Sequence, residues 1–152
     1  MAMFTHLLVL VDGSEHAKRA VQAAADLAQR YGAKLTLMHV LSQSGSLAVP
    51  EELKAYSELE HIRITERDLI QTAGNEILKN AETLARKNGA TKCQIVLKTG
   101  DPATCITNHV KKNGVDLVVM GRRGLGDLAG LFLGSVSHKV AQATDCTCLT
   151  VK

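Results

Sequence analysis

A chain of 152 residues with 45% hydrophobic side chains can bury one full core and leaves little room for a second domain. Aromatic residues make up only 3%, with no tryptophan, which argues against a nucleic-acid surface built on base stacking and against an aromatic sugar platform. The formal charge of +3 comes from basic residues spread along the chain, too diffuse a signal for a nucleic-acid or anionic-membrane partner.

No run of about 18 apolar residues occurs, so no membrane span is expected. The start, Met1-Ala2-Met3-Phe4-Thr5-His6, has no basic region ahead of an apolar core, so no secretory signal is expected and a cytoplasmic location follows. Cys93, Cys105, Cys146 and Cys148 form no CxxC and read as reduced thiols. Cys146 and Cys148 alternate onto one face of a terminal strand, where core packing explains them better than metal or redox work. The six histidines and four cysteines show no metal-ligand spacing on one helix face, which ranks a metal or redox protein last.

His6 to Val11 is a nearly continuous apolar run, as expected of a strand covered on both faces. It ends at Asp12-Gly13-Ser14, with Ser14 as a helix N-cap and Glu15 in the first turn. Ala17, Ala20, Val21, Ala24, Leu27, Ala28 and Tyr31 then make one helical stripe, and Gly32 stops it. Lys34 to Leu41 is a second strand, completing a right-handed βαβ unit. The polar connection from Ser42 to Glu66 is long enough to be a lid or a mobile insertion.

Between Asp68 and Lys87 a second helix is predicted, with Leu69, Ile70, Ala73, Ile77, Ala81, Leu84 and Ala85 inward and Gly89 as its stop. Lys92 to Lys98 is a third strand. Asp101 as N-cap and Pro102 at the first helical position start a third helix, with Ala103, Ile106 and Val110 inward and an end near Gly114. Val115 to Met120 is a fourth strand, Val136 to Ala143 a fourth helix, and Thr147 to Val151 a fifth strand. The alternation predicts a single-domain α/β, doubly wound, Rossmann-like fold over residues 1–152, with five parallel strands and about four helices. Ligands of such sheets sit beyond the carboxyl ends of the strands, where Asp12, Val40 and Gly121 would ring one crevice.

Between the fourth strand and fourth helix lies a glycine-rich loop running from Gly121 to Ser137. Strand, glycine loop and helix N-terminus together hold phosphate: amides point inward, the dipole favours anions, and glycines admit an oxyanion to the backbone. No GxxxxGK[ST] string occurs, and no GxGxxG follows the first strand. The competing reading is a glycine-rich surface turn with a helix cap at Ser135. Asp12 reads either as a magnesium or ribose ligand or as an Asx turn opening the first helix.

Gly121, Gly124, Gly134 and Ser135 match G-x2-G-x9-G-[S/T], the nucleotide motif of the universal stress protein family. Val9 to Ser14, Leu37 to Val40, Gly100-Asp101-Pro102 and Gly134 to Ser137 also look like that family's strand ends and helix starts. From about Phe4 to Val151 the chain resembles its ATP-binding branch. The resemblance implies that Leu10, Val11 and Asp12 line the adenosine side and that the Val40 backbone meets the adenine edge. Met120 and Gly121 would lie along the ribose, and Arg122, Arg123, Gly124, Gly134, Ser135, Val136 and Ser137 around the phosphates, with Arg123 favoured over Arg122 for phosphate contact. It further implies ATP, ADP or AMP as cofactor and a homodimer joined through Thr147 to Val151; the Asp12 carboxylate beside the phosphate loop adds the expectation of Mg2+ with the phosphates.

The expected role is a nucleotide-binding stress-response regulator, with an unidentified protein partner possible. The alternatives are a slow ATPase or self-phosphorylating protein, and a dimeric interaction module without nucleotide. No catalytic residue is assigned. Asp127 and His138 are thin candidates for a base, and Ser135 and Ser137 suit capping and phosphate hydrogen bonding better than phosphorylation.

Overall fold

The structure, a computed structural model, describes residues 2–42, 52, 55, 66–122 and 134–152. In chain order these form β1 (His6–Leu10), α1 (Glu15–Tyr31), β2 (Lys34–Leu41), α2 (Glu66–Lys87), β3 (Cys93–Thr99), α3 (Pro102–Asn113), β4 (Leu117–Gly121), α4 (Ser135–Ala143) and β5 (Thr147–Val151). All pairings are parallel, and the strand order is β3-β2-β1-β4-β5. The doubly wound reading of the sequence therefore holds. Among the described residues no helix is long and apolar enough to cross a membrane.

Alternation along the strands divides the core between two faces. Leu7, Val9, Leu35, Leu37, Leu117 and Val119 face α1 and α2. Leu8, Met38, Val40, Val118 and Met120 face α3 and α4. Strands buried on both sides favour apolar residues on both faces, which explains the continuous run of Leu7, Leu8 and Val9.

The helix ends follow local chemistry. Ser14 is extended and its hydroxyl accepts the Ala17 N–H, while left-handed Gly32 (φ 64°) closes α1. Asp101 caps α3 through Thr104, and Gly114 (φ 64°) closes it. Those bonds from the Thr104 amide and hydroxyl hold the exposed Asp101 carboxyl below its ordinary range.

Several expectations need correction. β1 ends at Leu10, although the Val11 N–H still donates to Met38 C=O at 2.8 Å. β3 runs one residue later than expected, and β4 starts at Leu117 rather than Val115, although Val115 is buried. Cys146 precedes β5 but packs on the core with Cys148. The buried stripe of α2 is Gly74, Leu78, Ala81 and Ala85; Ala73 is exposed. The reason is close approach: a Cβ on Gly74 would lie 2.9 Å from the Leu41 side chain and 3.1 Å from those of His39 and Leu97. The 42–66 connection lies almost entirely outside the described residues.

Candidate functional site

With this order the winding reverses between β1 and β4, and the crevice opens beyond their carboxyl ends. On one side β1 runs into α1. Half-buried Leu10 is followed by Val11, whose side chain enters the core. Its C=O accepts from His39 Nδ1 at 2.6 Å, so that ring nitrogen carries a hydrogen. Asp12 Oδ1 accepts the Ser14 N–H at 2.9 Å, with Gly13 between them at φ 81°. The Asx turn anticipated for Asp12 is therefore present.

Val40 sits on the next strand. In β2, Lys34 N–H donates to Thr5 C=O at 2.9 Å, and Met38 C=O accepts from Val11, so even-numbered residues turn their backbone groups towards β1. Val40 shares that parity and stands beyond the last of these bonds. Its amide edge thus faces the side from which β1 has turned away into α1.

β4 supplies the floor. The Met120 side chain is buried under α3 and α4, so this residue offers only backbone to the crevice. Gly121 lies against the first turn of α1. A Cβ there would come within 2.8 Å of His16 C and Cβ and 2.9 Å of Ala17 N. Its C=O accepts the Ser137 hydroxyl at 2.9 Å. Arg122 N–H donates to Val151 C=O, and Arg122 C=O accepts from Gly134 N–H, both at 2.7 Å. These two bonds anchor the neck of the glycine loop to β5 and α4.

α4 begins directly at that neck. Gly134 is its N-cap, extended at φ −62° and ψ 153°, with no side-chain cap bond. This corrects the capping role considered for Ser135, which is the exposed first residue of the helix instead. The first helical bond runs from His138 N–H to Gly134 C=O at 2.9 Å. The amides of Ser135, Val136 and Ser137 form the helix's leading turn, where the dipole is positive. Ser137 is buried, and its hydroxyl is engaged with the Gly121 carbonyl.

Leu10, Val11, Asp12, Val40, Met120, Gly121, Arg122, Gly134, Ser135, Val136 and Ser137 thus gather at one end of the sheet. Arg123, Gly124 and Asp127 lie outside the described residues, and His138 points outward from α4. The sequence reading gave no role to His16 or His39. Both make contacts with residues far along the chain, although a histidine inside the apolar β2 run was a visible anomaly. Among the described residues no group of three or more His, Cys, Asp or Glu side chains is placed to hold a metal ion.

The family model described as Universal stress protein family matches residues 3–152. The chain belongs to the universal stress protein family. It is 36% identical to the Universal stress protein YxiE of Bacillus subtilis (strain 168), over 99% of this chain and 100% of that relative. Among solved structures, the universal stress protein UspA from Lactobacillus plantarum superposes with a TM-score of 0.79 at 24% identity, covering all of both chains. A universal stress protein in complex with cAMP superposes with a TM-score of 0.67 at 26% identity, covering 97% of this chain and 96% of that one. The α/β fold of this universal stress protein is thus the fold of its solved relatives, and one of those was solved with a cyclic adenine nucleotide.

Proposed function

We propose that the crevice binds an adenine nucleotide, and that binding rather than turnover is this universal stress protein's primary role. The observation that carries the reading is the leading turn of α4: successive backbone amides with no side-chain cap, placed directly behind the glycine loop at the switch point of the sheet. The phosphates would accept from the amides of Ser135, Val136 and Ser137, with Arg122, Arg123, Gly124 and Gly134 around them. Leu10, Val11, Asp12, Met120 and Gly121 would flank the nucleoside. The parity of Val40 supports a backbone contact to the adenine edge. A family member with cAMP bound supports the adenine class of ligand.

A magnesium ion, if carried in, would arrive with the phosphates. One carboxylate suffices for such an ion, because magnesium keeps phosphate and water as its other ligands, and Asp12 is the carboxylate at this rim. We also propose a cytoplasmic homodimer joined through β5, an edge strand whose Leu149 is 38% exposed.

The test is to denature freshly purified protein, identify released nucleotide by mass spectrometry, and titrate the emptied protein with ATP, ADP, AMP and cAMP with and without magnesium. Stoichiometric adenine nucleotide or saturable binding is expected. Folded protein that is empty and binds none of the four would overturn the proposal and favour a dimeric interaction module.

A further inference from the structure

At the opposite end of the sheet from the crevice, two histidines meet beneath α3. His6 opens β1 and is only 7% exposed. His109 lies one turn before Asn113, the last residue of α3, so both face the start of β1. The two rings are 6.5 Å apart at 77°, edge to face.

The hydrogen bonds around His6 run in one direction. Asn113 C=O only accepts, so His6 Nδ1, at 3.1 Å, carries a hydrogen. In the neutral ring Nε2 is then bare and accepts from the Thr36 hydroxyl at 2.8 Å. Thr36 is fully buried, and its oxygen accepts from the Gln94 side-chain amide at 2.9 Å. The chain thus passes from Gln94 through Thr36 and His6 to Asn113, and ties β3, β2 and β1 to the end of α3.

A second proton on His6 breaks that order. Nε2–H would donate to Thr36, whose oxygen would then accept from both His6 and Gln94, and the Thr36 hydrogen would lose the acceptor it has on Nε2. His109 is worse placed for a proton. Its Nε2 is buried and has no hydrogen-bond partner among the described residues, so a hydrogen there would lack an acceptor.

Of the charged groups facing the pair, the lysines favour neutrality and Asp116 favours charge on His6. Lys34 at the start of β2 opposes charge on both rings, and Lys98 of β3 opposes it on His109. Asp116 is the acid that faces His6. Its oxygens accept from Thr5 N–H at 2.8 Å, the Thr5 hydroxyl at 2.7 Å and His6 N–H at 3.1 Å, so its hydrogen bonds go to Thr5 and the His6 amide rather than to either ring.

We propose that His6 and His109 form an acid-sensitive latch seating the C-terminal half of α3 on the sheet, closed while both rings are neutral and loosened when either takes up a proton. Burial pushes the His6 pKa down against the opposing Asn113 bond; burial, His6 and the two lysines push His109 down. A depressed imidazole keeps its full contribution above the ordinary value of about 6.5 and loses it as pH falls from there through the folded value. The latch therefore opens on acidification.

The experiment is an NMR titration of the histidine ring protons in the full chain, with amide exchange followed from about pH 7.5 to about 5. Both rings are expected to titrate below the ordinary value. Protection factors in residues 106–113 should fall about tenfold per unit of pKa depression, with α1 unaffected. His109→Phe keeps an aromatic edge against His6 and removes the ring whose charge is opposed there, so it should leave the His6 titration depressed and blunt the loss of protection. Gln94→Glu supplies an acceptor for the displaced Thr36 hydrogen and should raise the His6 titration, giving a second variant if the first does not fold. Rings titrating at or above the ordinary value, or α3 protection that stays flat while both rings titrate, would overturn the latch.

Discussion

The Gly134 amide donates to the Arg122 carbonyl at 2.7 Å, and this bond closes the neck of the glycine loop immediately before α4. It uses the one N–H that would otherwise point forward from the N-cap, so the donors left for an anion begin at Ser135. It also fixes where the loop must leave and rejoin the fold.

Gly134 itself has φ −62°, a conformation open to any residue, and it is buried. Backbone strain therefore does not require a glycine here. Gly134→Ala is expected to fold with a stability within about 1 kcal/mol of the parent, while nucleotide affinity drops by about tenfold or more as the methyl meets the phosphates. Isothermal titration beside a urea melt separates the two effects. A folded variant with parental affinity would remove the phosphates from this turn.

Gly121 is expected to behave differently, although it belongs to the same motif. The space for its Cβ is filled by the His16 and Ala17 backbone of α1. Gly121→Ala should cost about 1–3 kcal/mol in stability, because helix backbone yields less readily than a side chain. The urea midpoint checks this.

Much of the fold was legible because its punctuation is local. Ser14 and Gly32 bound α1, and Asp101, Pro102 and Gly114 bound α3, each acting on residues within a turn. The α2 stripe was displaced because Ala73 beside Gly74 and Ile77 beside Leu78 both fit a helical period. Only the close approach of Gly74 to Leu41, His39 and Leu97 decides between them. At the site, the spaced glycines marked the loop neck and the start of α4. The contact of Gly121 with His16 and the bond from Ser137 to Gly121 join separate elements and leave no trace in local spacing. The same holds for His6 and His109, which only the packing of α3 on β1 brings together.

Asp12 carries two expectations that one substitution can separate. Its Oδ1 holds the Ser14 amide, so Asp12→Ala removes a turn bond worth about 1 kcal/mol. If Asp12 also helps hold magnesium beside the phosphates, the variant should lose more affinity with magnesium than without it. Parallel ATP titrations in magnesium and in chelator give the comparison. Equal losses in the two would leave Asp12 with the turn alone.

Asp116 offers a pH prediction of the same sign as the histidines but in a more acidic range. Burial raises its pKa, but the Thr5 hydroxyl and the Thr5 and His6 amides outweigh this and hold it below its ordinary value. A depressed carboxyl contributes stability that is present above the unfolded value of about 3.8 and is lost as pH falls through the folded one. Asp116→Asn should flatten the acid limb of a stability profile below about pH 4 and lower stability at neutral pH by about 1–3 kcal/mol. An unchanged acid limb would assign the loss of stability there to other carboxylates.

The last strand bears on assembly. β5 pairs with β4 along one edge and has no strand on the other side among the described residues, and Leu149 projects outward at its centre. An exposed edge with an apolar centre invites pairing with a second copy. Leu149→Lys leaves the β4 ladder intact, since that ladder is backbone, while placing two like charges across a two-fold contact. The variant is expected to remain folded by circular dichroism and to elute as a monomer by light scattering where the parent is a dimer. A variant that stays dimeric would move the interface away from β5, and a monomeric parent would remove the homodimer itself.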